Sequence, residues 1–114
     1  MPQRIQRKRS KGWRMPEGAV YVGRPTIWGN FYRIEAEPDG TFTIMDDYNS
    51  RTFWCCPSME QARKIATEAF RVAIIRWMKQ PGISLDELRG KDLACWCPLD
   101  QPCHADVLLK LANE

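Results

Sequence analysis

The side chains best suited to chemistry are concentrated in residues 95–106 (CWCPLDQPCHAD), which hold three of the five cysteines and the single histidine. In a strand, Cys95 and Cys97 would lie on the same face. Cys103 and His104 follow at the predicted start of a helix. A strand end and the start of the next helix lie close together, so we expect these four side chains to converge. Three thiolates and one imidazole suit a tetrahedral zinc ion.

Two further interpretations stay open, because the C-x-C spacing and the adjacent Cys-His pair depart from common zinc sites. The second is catalytic: a helix N-terminus favours the thiolate of Cys103, with His104 beside it and Asp106 one turn further on. In the third, the cysteines pack as small hydrophobic residues and His104 caps its helix. We rank metal binding first, catalysis second and packing third. The adjacent Cys55 and Cys56 are interpreted as packing.

A second motif, GRPTIWGN at residues 23–30, has features of a ligand-binding turn. Arg24 can form paired hydrogen bonds with a phosphate or carboxylate, and Trp28 can stack on a base. Asn30 can read a base edge. The alternative is that Trp28 is a core residue and that the end of the motif is only a turn. Arg24, Trp28 and Asn30 are the predicted substrate-binding residues.

The N-terminal segment is strongly basic although the net charge of the chain is only +3. Residues 1–14 carry six basic side chains and no acidic one, whereas the remaining 100 residues carry 11 basic and 14 acidic side chains. Such a segment attracts phosphates, and nucleic acid is its usual partner. A solvated, disordered terminus explains the charges equally well, and the aromatic side chain within the segment favours function. The predicted nucleic-acid contacts are Arg4, Arg7, Lys8, Arg9, Lys11, Trp13 and Arg14.

The hydrophobic pattern predicts strands at residues 18–25 and 92–96 and a β-hairpin over 31–46. Residues 48–57 fit either a strand or an irregular loop. Ser58 and Gln61 form a capping box at the start of a long helix, a short helix follows Ser84, and a last helix begins near His104.

This order predicts a small single-domain α/β layered fold. Its short mixed sheet would combine a parallel strand pair with the β-hairpin, and about three helices would pack on it. The basic arm would span residues 1–15 and the domain residues 16–114. Ligands bind at the carboxyl ends of such strands, where both motifs would lie.

Composition excludes several classes of protein. No apolar run is long enough to cross a bilayer, and no apolar segment of a signal peptide follows the basic start. An odd number of cysteines argues against a secreted disulfide framework. We therefore expect a reduced, cytoplasmic protein with no membrane partner.

Both ends of the chain are similar to a known family. RIQRKRSKGWRMPEGAVYVGRPTIWGN and LRGKDLACWCPLDQPCHADVLLKLAN resemble the domain of unknown function 4326 family, common in phages and bacteria. The resemblance implies that the arm belongs to the working unit, and it implies the host cytoplasm if a phage encodes the protein. Here Phe31-Tyr32 replace the usual Pro-Phe after WGN, and residues 36–62 diverge. The family pattern marks Trp13, Gly23, Arg24, Pro25, Trp28, Gly29, Asn30, Cys95, Trp96, Cys97, Cys103, His104 and Asp106.

The motifs together lead to three functional hypotheses. The first is an enzyme or enzyme-like domain that binds or modifies a nucleotide, nucleoside or nucleic acid, and its reaction type is unspecified. The alternatives are a non-enzymatic nucleic-acid-binding module with zinc as a structural staple, and a phage protein that inhibits a host protein. A closed sphere of Cys95, Cys97, Cys103 and His104 would favour the module. An open site beside Arg24 would favour the enzyme.

Overall fold

The computed structural model describes residues 2–24, 26–47 and 51–114. They form a mixed α/β fold with two three-stranded sheets, two α-helices and one 3-10 turn, which confirms the predicted fold class. The elements are β1 (Arg4–Gln6), β2 (Val20–Tyr21), β3 (Tyr32–Ala36), β4 (Phe42–Asp46), β5 (Arg51–Cys56), α1 (Met59–Met78), the 3-10 turn (Asp86–Leu88), β6 (Leu93–Cys95) and α2 (His104–Ala112).

The first sheet is parallel and has the order β1-β6-β2. β6 and β2 pair with Val20 opposite Leu93, so the predicted parallel pair is present. β1 could not be predicted from the sequence, because a three-residue strand in a basic segment has no clear hydrophobic pattern. β1 occupies the other side of β6, and a hydrogen bond from the Arg7 amide to the Cys95 carbonyl, 2.8 Å long, continues the pairing.

The second sheet is antiparallel and has the order β3-β4-β5. The predicted hairpin is present, and Gly40 takes the positive φ of 87° that its turn requires. β5 resolves the ambiguous stretch as a strand from residue 51, whereas residues 48–50 lie outside the described residues. The parallel pair and the hairpin belong to separate sheets rather than to the one mixed sheet predicted, and α1 packs against both sheets.

Helix α1 joins the two halves of the core. The Ser58 hydroxyl accepts a hydrogen bond from the Gln61 amide at 3.2 Å, as the capping box predicts. Along the buried face, Ala62 and Ala66 pack with the antiparallel sheet, and Phe70 and Ile74 pack with the parallel sheet and α2. In the part of the chain that the structure describes, neither α-helix combines the length and apolar character needed to span a bilayer.

Candidate metal centre and binding cleft

A cleft of about 520 Å³ lies at the carboxyl ends of the parallel strands. Gly23, Arg24 and Asn30 of the first motif line it, together with Trp96 and the cysteine cluster of the second. The two motifs therefore share one end of the sheet. A Cβ at Gly23 would lie 2.5 Å from the Tyr21 hydroxyl oxygen, so a larger residue here would displace the Tyr21 ring.

Three thiols converge at this cleft. The Sγ atoms of Cys95, Cys97 and Cys103 all lie within 4.8 Å of one another, and those of Cys95 and Cys103 are 3.1 Å apart. Cys95 ends β6, and Cys103 is the N-cap of α2, where its Sγ accepts from the Ala105 amide at 3.5 Å. Cys95 and Cys103 are buried, Cys97 is half-buried, and none of the three is in a disulfide. These three cysteines are placed to hold a metal ion.

His104 lies beside the thiols but is held by the backbone. Its Nε2 bonds the Val22 carbonyl oxygen at 2.7 Å, which makes Nε2 the protonated nitrogen. Nδ1 then faces Cys103, 3.6 Å from Sγ. Burial alone would lower the pKa of His104, but hydrogen bonds to Cys103 and Cys97 outweigh it and raise the pKa to about 9. The ring therefore stabilises a nearby thiolate, and the three-cysteine cluster forms without it.

The three thiols differ in their affinity for protons. Hydrogen bonds from Cys95 and Cys97 hold the pKa of the Cys103 thiol well below its ordinary value, and His104 adds to this effect. The same bond to Cys103 raises the pKa of the Cys95 thiol. Cys103 is therefore the first of the cluster to become a thiolate, which is the form that binds metals and attacks electrophiles.

Arg4 organises the segment between these cysteines. Its side chain is only 7% exposed, and its Nη2 donates to the carbonyl oxygens of Pro98, Leu99 and Gln101 at 3.1, 2.6 and 2.9 Å. Its Nη1 lies 3.5 Å from an oxygen of Asp106. Burial opposes the charged form of Arg4, but a hydrogen bond to Cys103 helps to raise its pKa. This placement favours a structural and electrostatic role over the predicted nucleic-acid contact.

Asp106, the third predicted catalytic residue, has a charged partner other than His104. Its carboxylate pairs with Arg4 and is 54% exposed. Partial burial raises its pKa, and the charge of Arg4 opposes that shift. Within the described residues no hydrogen bond joins Asp106 to His104, so the three predicted catalytic residues are adjacent without forming a hydrogen-bonded relay.

The predicted substrate-binding residues have different surroundings. Arg24 is half-exposed at the cleft, where its Nε donates to the Asn30 carbonyl oxygen at 2.8 Å. Asn30 uses both ends of its amide locally, accepting from the Tyr32 amide at 2.8 Å and donating to the Ala66 carbonyl at 3.3 Å. Trp28 is only 7% exposed and packs in the core. These positions favour the alternative in which Trp28 is core and Asn30 shapes the turn, and Arg24 stays a candidate ligand contact. Pro25 lies outside the described residues.

The basic arm folds back along the cleft. The guanidinium of Arg7 lies 4.6 Å from the Tyr21 ring centre and 4.7 Å from that of Trp96, and Arg9 lies 4.7 Å from the same Trp96 ring. Cation–π contacts of this kind fix the arm against the mouth of the site. Of the remaining predicted arm contacts, Lys8, Lys11 and Arg14 are exposed and Trp13 is half-buried.

Arg33 and Arg63, which were not predicted from the sequence, also line the cleft. Arg33 comes from β3 and forms ion pairs with Glu35 and Asp47. Arg63 comes from the first turns of α1, where a basic residue gives no sign that its face of the helix borders a cleft. No Asp or Glu of the described ranges lines this cleft, but Asp47 pairs with Arg24 and Arg33 beside it, and Glu35 also pairs with Arg33.

The comparison with family models gives one match, to Domain of unknown function (DUF4326), over residues 5–114. Neither the curated proteins nor the solved structures contain a match to this chain. The match extends from within β1 to the last residue, so it includes the positions of the cleft, of both motifs and of the middle of the chain. The chain therefore belongs to the DUF4326 family.

Proposed function

We propose that the cleft binds, and in a zinc-loaded protein modifies, a nucleotide, nucleoside or nucleic-acid component. One observation carries this proposal: the thiols of Cys95, Cys97 and Cys103 and the side chains of Arg24 and Arg63 line the same cleft at the carboxyl ends of the parallel strands. In open α/β sheets this is where ligands bind.

The charge of the cleft supports an anionic ligand. Three arginines line it, and no carboxylate of the described residues does. Arg24 and Arg33 already form ion pairs with Asp47, whereas Arg63 forms no ion pair with any residue in the described ranges. Arg63 is therefore the best candidate for a phosphate contact. A volume of about 520 Å³ also falls within the range of small-molecule sites.

The donor set supports zinc. Three thiolates provide soft ligands, and zinc sites with three protein ligands keep a fourth position for water or substrate. When bound there, zinc would act as a Lewis acid or activate water. Arg4 beside Cys103 offsets part of the negative charge of three thiolates. The Nδ1 of His104 lies 3.6 Å from the Cys103 Sγ, so this imidazole nitrogen would compete for that position.

The non-enzymatic module has its own supporting observation. Cys95 and Cys103 are 1% and 2% exposed, which is typical of structural zinc sites. Lys8, Lys11 and Arg14 are exposed on the arm and free to follow a nucleic-acid backbone. Closure of the zinc site by His104 would favour this module.

Calorimetric titration of the zinc-loaded protein with nucleosides, nucleoside 5′-monophosphates and short single-stranded oligonucleotides tests the proposal. Monophosphates should bind more tightly than nucleosides, and Arg63→Gln should weaken their binding by about 10- to 100-fold, since a charge-assisted hydrogen bond contributes about 1.5–3 kcal/mol. Arg71→Gln is the matched control, because Arg71 also lies on α1 but pairs with Glu68 outside the cleft. Binding of none of these compounds, or equal losses in the two variants, would contradict the proposal.

A further inference from the structure

We propose that Cys95 and Cys103 form a reversible disulfide, which makes the cluster an oxidation site as well as a metal site. Their sulfur atoms are 3.1 Å apart in the reduced protein. A disulfide bond is about 2.05 Å long, so the two atoms need to approach by only about 1 Å. Cys97 lies within 4.8 Å of both and is the competing partner.

The surrounding backbone favours this pair. Cys95 is the last residue of β6, and Cys103 is the N-cap of α2, so the bond would close the segment 96–102 without crossing a helix or strand. Arg4 already holds this segment through the carbonyl oxygens of Pro98, Leu99 and Gln101. The oxidised form therefore keeps the loop that the reduced form has.

Cys103 is placed to be the attacking sulfur. It lies at the N-terminus of a nine-residue helix, and the Arg4 guanidinium lies beside it. A helix N-terminus and an adjacent cation both favour the thiolate, which is the nucleophile in thiol oxidation. Cys95 contributes the second sulfur as a thiol.

With hydrogen peroxide as the oxidant, the disulfide forms in two steps. The Cys103 thiolate attacks one peroxide oxygen, the O–O bond breaks, and hydroxide leaves, which produces a sulfenic acid on Cys103. The Cys95 sulfur then attacks the Cys103 sulfur, the S–O bond breaks, and the sulfenic oxygen leaves as water with the Cys95 proton. The two sulfurs lose two electrons and peroxide gains them. A dithiol such as dithiothreitol reverses the reaction by thiol–disulfide exchange.

The consequence for the metal rests on the proposed function. Oxidation of Cys95 and Cys103 removes two of the three thiolates, and a single remaining thiolate does not hold zinc in a tetrahedral site. The disulfide and the zinc ion therefore exclude each other, and an oxidant would release the ion.

Peptide mapping tests the pairing on the whole chain, once as purified and once after chelation, with one equivalent of hydrogen peroxide added. Cleavage before Asp100 and Asp106 and after Trp96 separates Cys95, Cys97 and Cys103 into different peptides, so each pairing gives a distinct cross-linked product. We expect the product that joins residue 95 to residue 103, which dithiothreitol removes. Cys97→Ser should still form it.

Two results would overturn the inference: a cross-link from Cys97 to either partner as the main product, or three free thiols in the cluster while Cys55 is oxidised. A chromophoric zinc chelator in the same experiment should record one zinc released per disulfide. Absence of zinc from the untreated protein would contradict the zinc proposal, and the peptide map of that same sample would still decide the pairing.

Discussion

The chain contains two groups of cysteines, which differ in the placement of their side chains and in the pKa of their thiols. Cys55 and Cys56 are adjacent in the edge strand β5, where successive side chains point to opposite faces. Cys55 is exposed, whereas Cys56 is buried against α1, and burial raises the pKa of its thiol. In the other group, Cys95, Cys97 and Cys103 converge within 4.8 Å, and the pKa of Cys103 is lowered.

The difference lies in the backbone rather than in the number of thiols. A spacing of two residues places Cys95 and Cys97 on one side of the chain, and the turn after β6 returns the chain so that Cys103 starts α2 beside them. Arg4 from the neighbouring strand β1 holds that turn. A parallel strand followed by a helix thus builds a ligand cluster that an edge strand does not.

The largest effect is expected from the ligands themselves. Cys103→Ser should weaken zinc binding by more than about 100-fold, because a structural zinc ion contributes on the order of 10–16 kcal/mol through its full set of ligands. Cys55→Ser, in the other cysteine group, should leave the affinity unchanged. Competition with a chromophoric chelator measures both. Equal affinities in the two variants would remove the distinction between the groups.

The aromatic residues of the two halves provide the next test. Trp28 is 7% exposed in the core of the parallel half, and Trp28→Ala should lower the free energy of unfolding by about 3–5 kcal/mol. Trp54 is 55% exposed on β5, and Trp54→Ala should cost much less. Urea unfolding of both variants measures the difference. A stable Trp28→Ala variant that has lost only ligand binding would instead support the stacking role predicted from the sequence.

Arg4→Gln should weaken zinc binding by about 10- to 100-fold, because residues that orient metal ligands typically have effects of this size. Arg4 acts on the cluster through the carbonyl groups of residues 98–101 and through its charge beside Cys103. Cobalt titration, followed by the thiolate-to-metal absorption, measures both affinity and geometry. Arg71→Gln is the control, and an unchanged affinity in Arg4→Gln would show that β1 does not support the site.

The smallest effect concerns how the free energy of unfolding of the metal-free protein depends on pH. The raised pKa of His104 contributes stability that is complete below 6.5 and is lost as the pH rises to about 9. The lowered pKa of Cys103 contributes stability that is complete above 9.0 and is lost as the pH falls below it. Between pH 6.5 and 9, the folded and unfolded chains bind the same number of protons on His104 and Cys103 together. The free energy of unfolding should therefore be nearly constant in this range.

The substitution His104→Gln removes the contribution of His104 to the stability and leaves that of Cys103. Its free energy of unfolding should then rise with pH between 6.5 and 9, because the unfolded chain keeps a proton on Cys103 that the folded chain has lost. Urea unfolding at several pH values compares the two slopes. Parallel slopes in this window would contradict the assignment of a charged pair to these residues.

The sequence was informative where local patterns determine the structure. The hairpin turn at Gly40, the Ser58 cap and the parallel pairing of residues 20–21 with residues 93–94 could all be predicted, because each depends on nearby residues or on one crossover. The convergence of Cys95, Cys97 and Cys103 was predicted for the same reason.

The contributions that distant parts of the chain make to the cluster and the cleft could not be predicted from the sequence. Arg4 approaches the cluster across more than 90 residues of sequence, and Arg63 reaches the cleft from α1, more than 30 residues away from either motif. The burial of Trp28 depends on α1 and α2 together, which the motif around it does not encode. Tertiary packing decides these positions. For Trp28, only the two alternatives of a core residue and a stacking residue could be stated from the sequence.

Whether the three-cysteine cluster holds zinc can be measured on protein purified without a metal-affinity tag, from its metal content and a titration of its thiols under native conditions. We expect about one zinc per chain, with Cys55 reacting quickly and the thiols of Cys95, Cys97 and Cys103 protected until a chelator is added. A protein without zinc whose cluster thiols react as quickly as Cys55 would contradict the account.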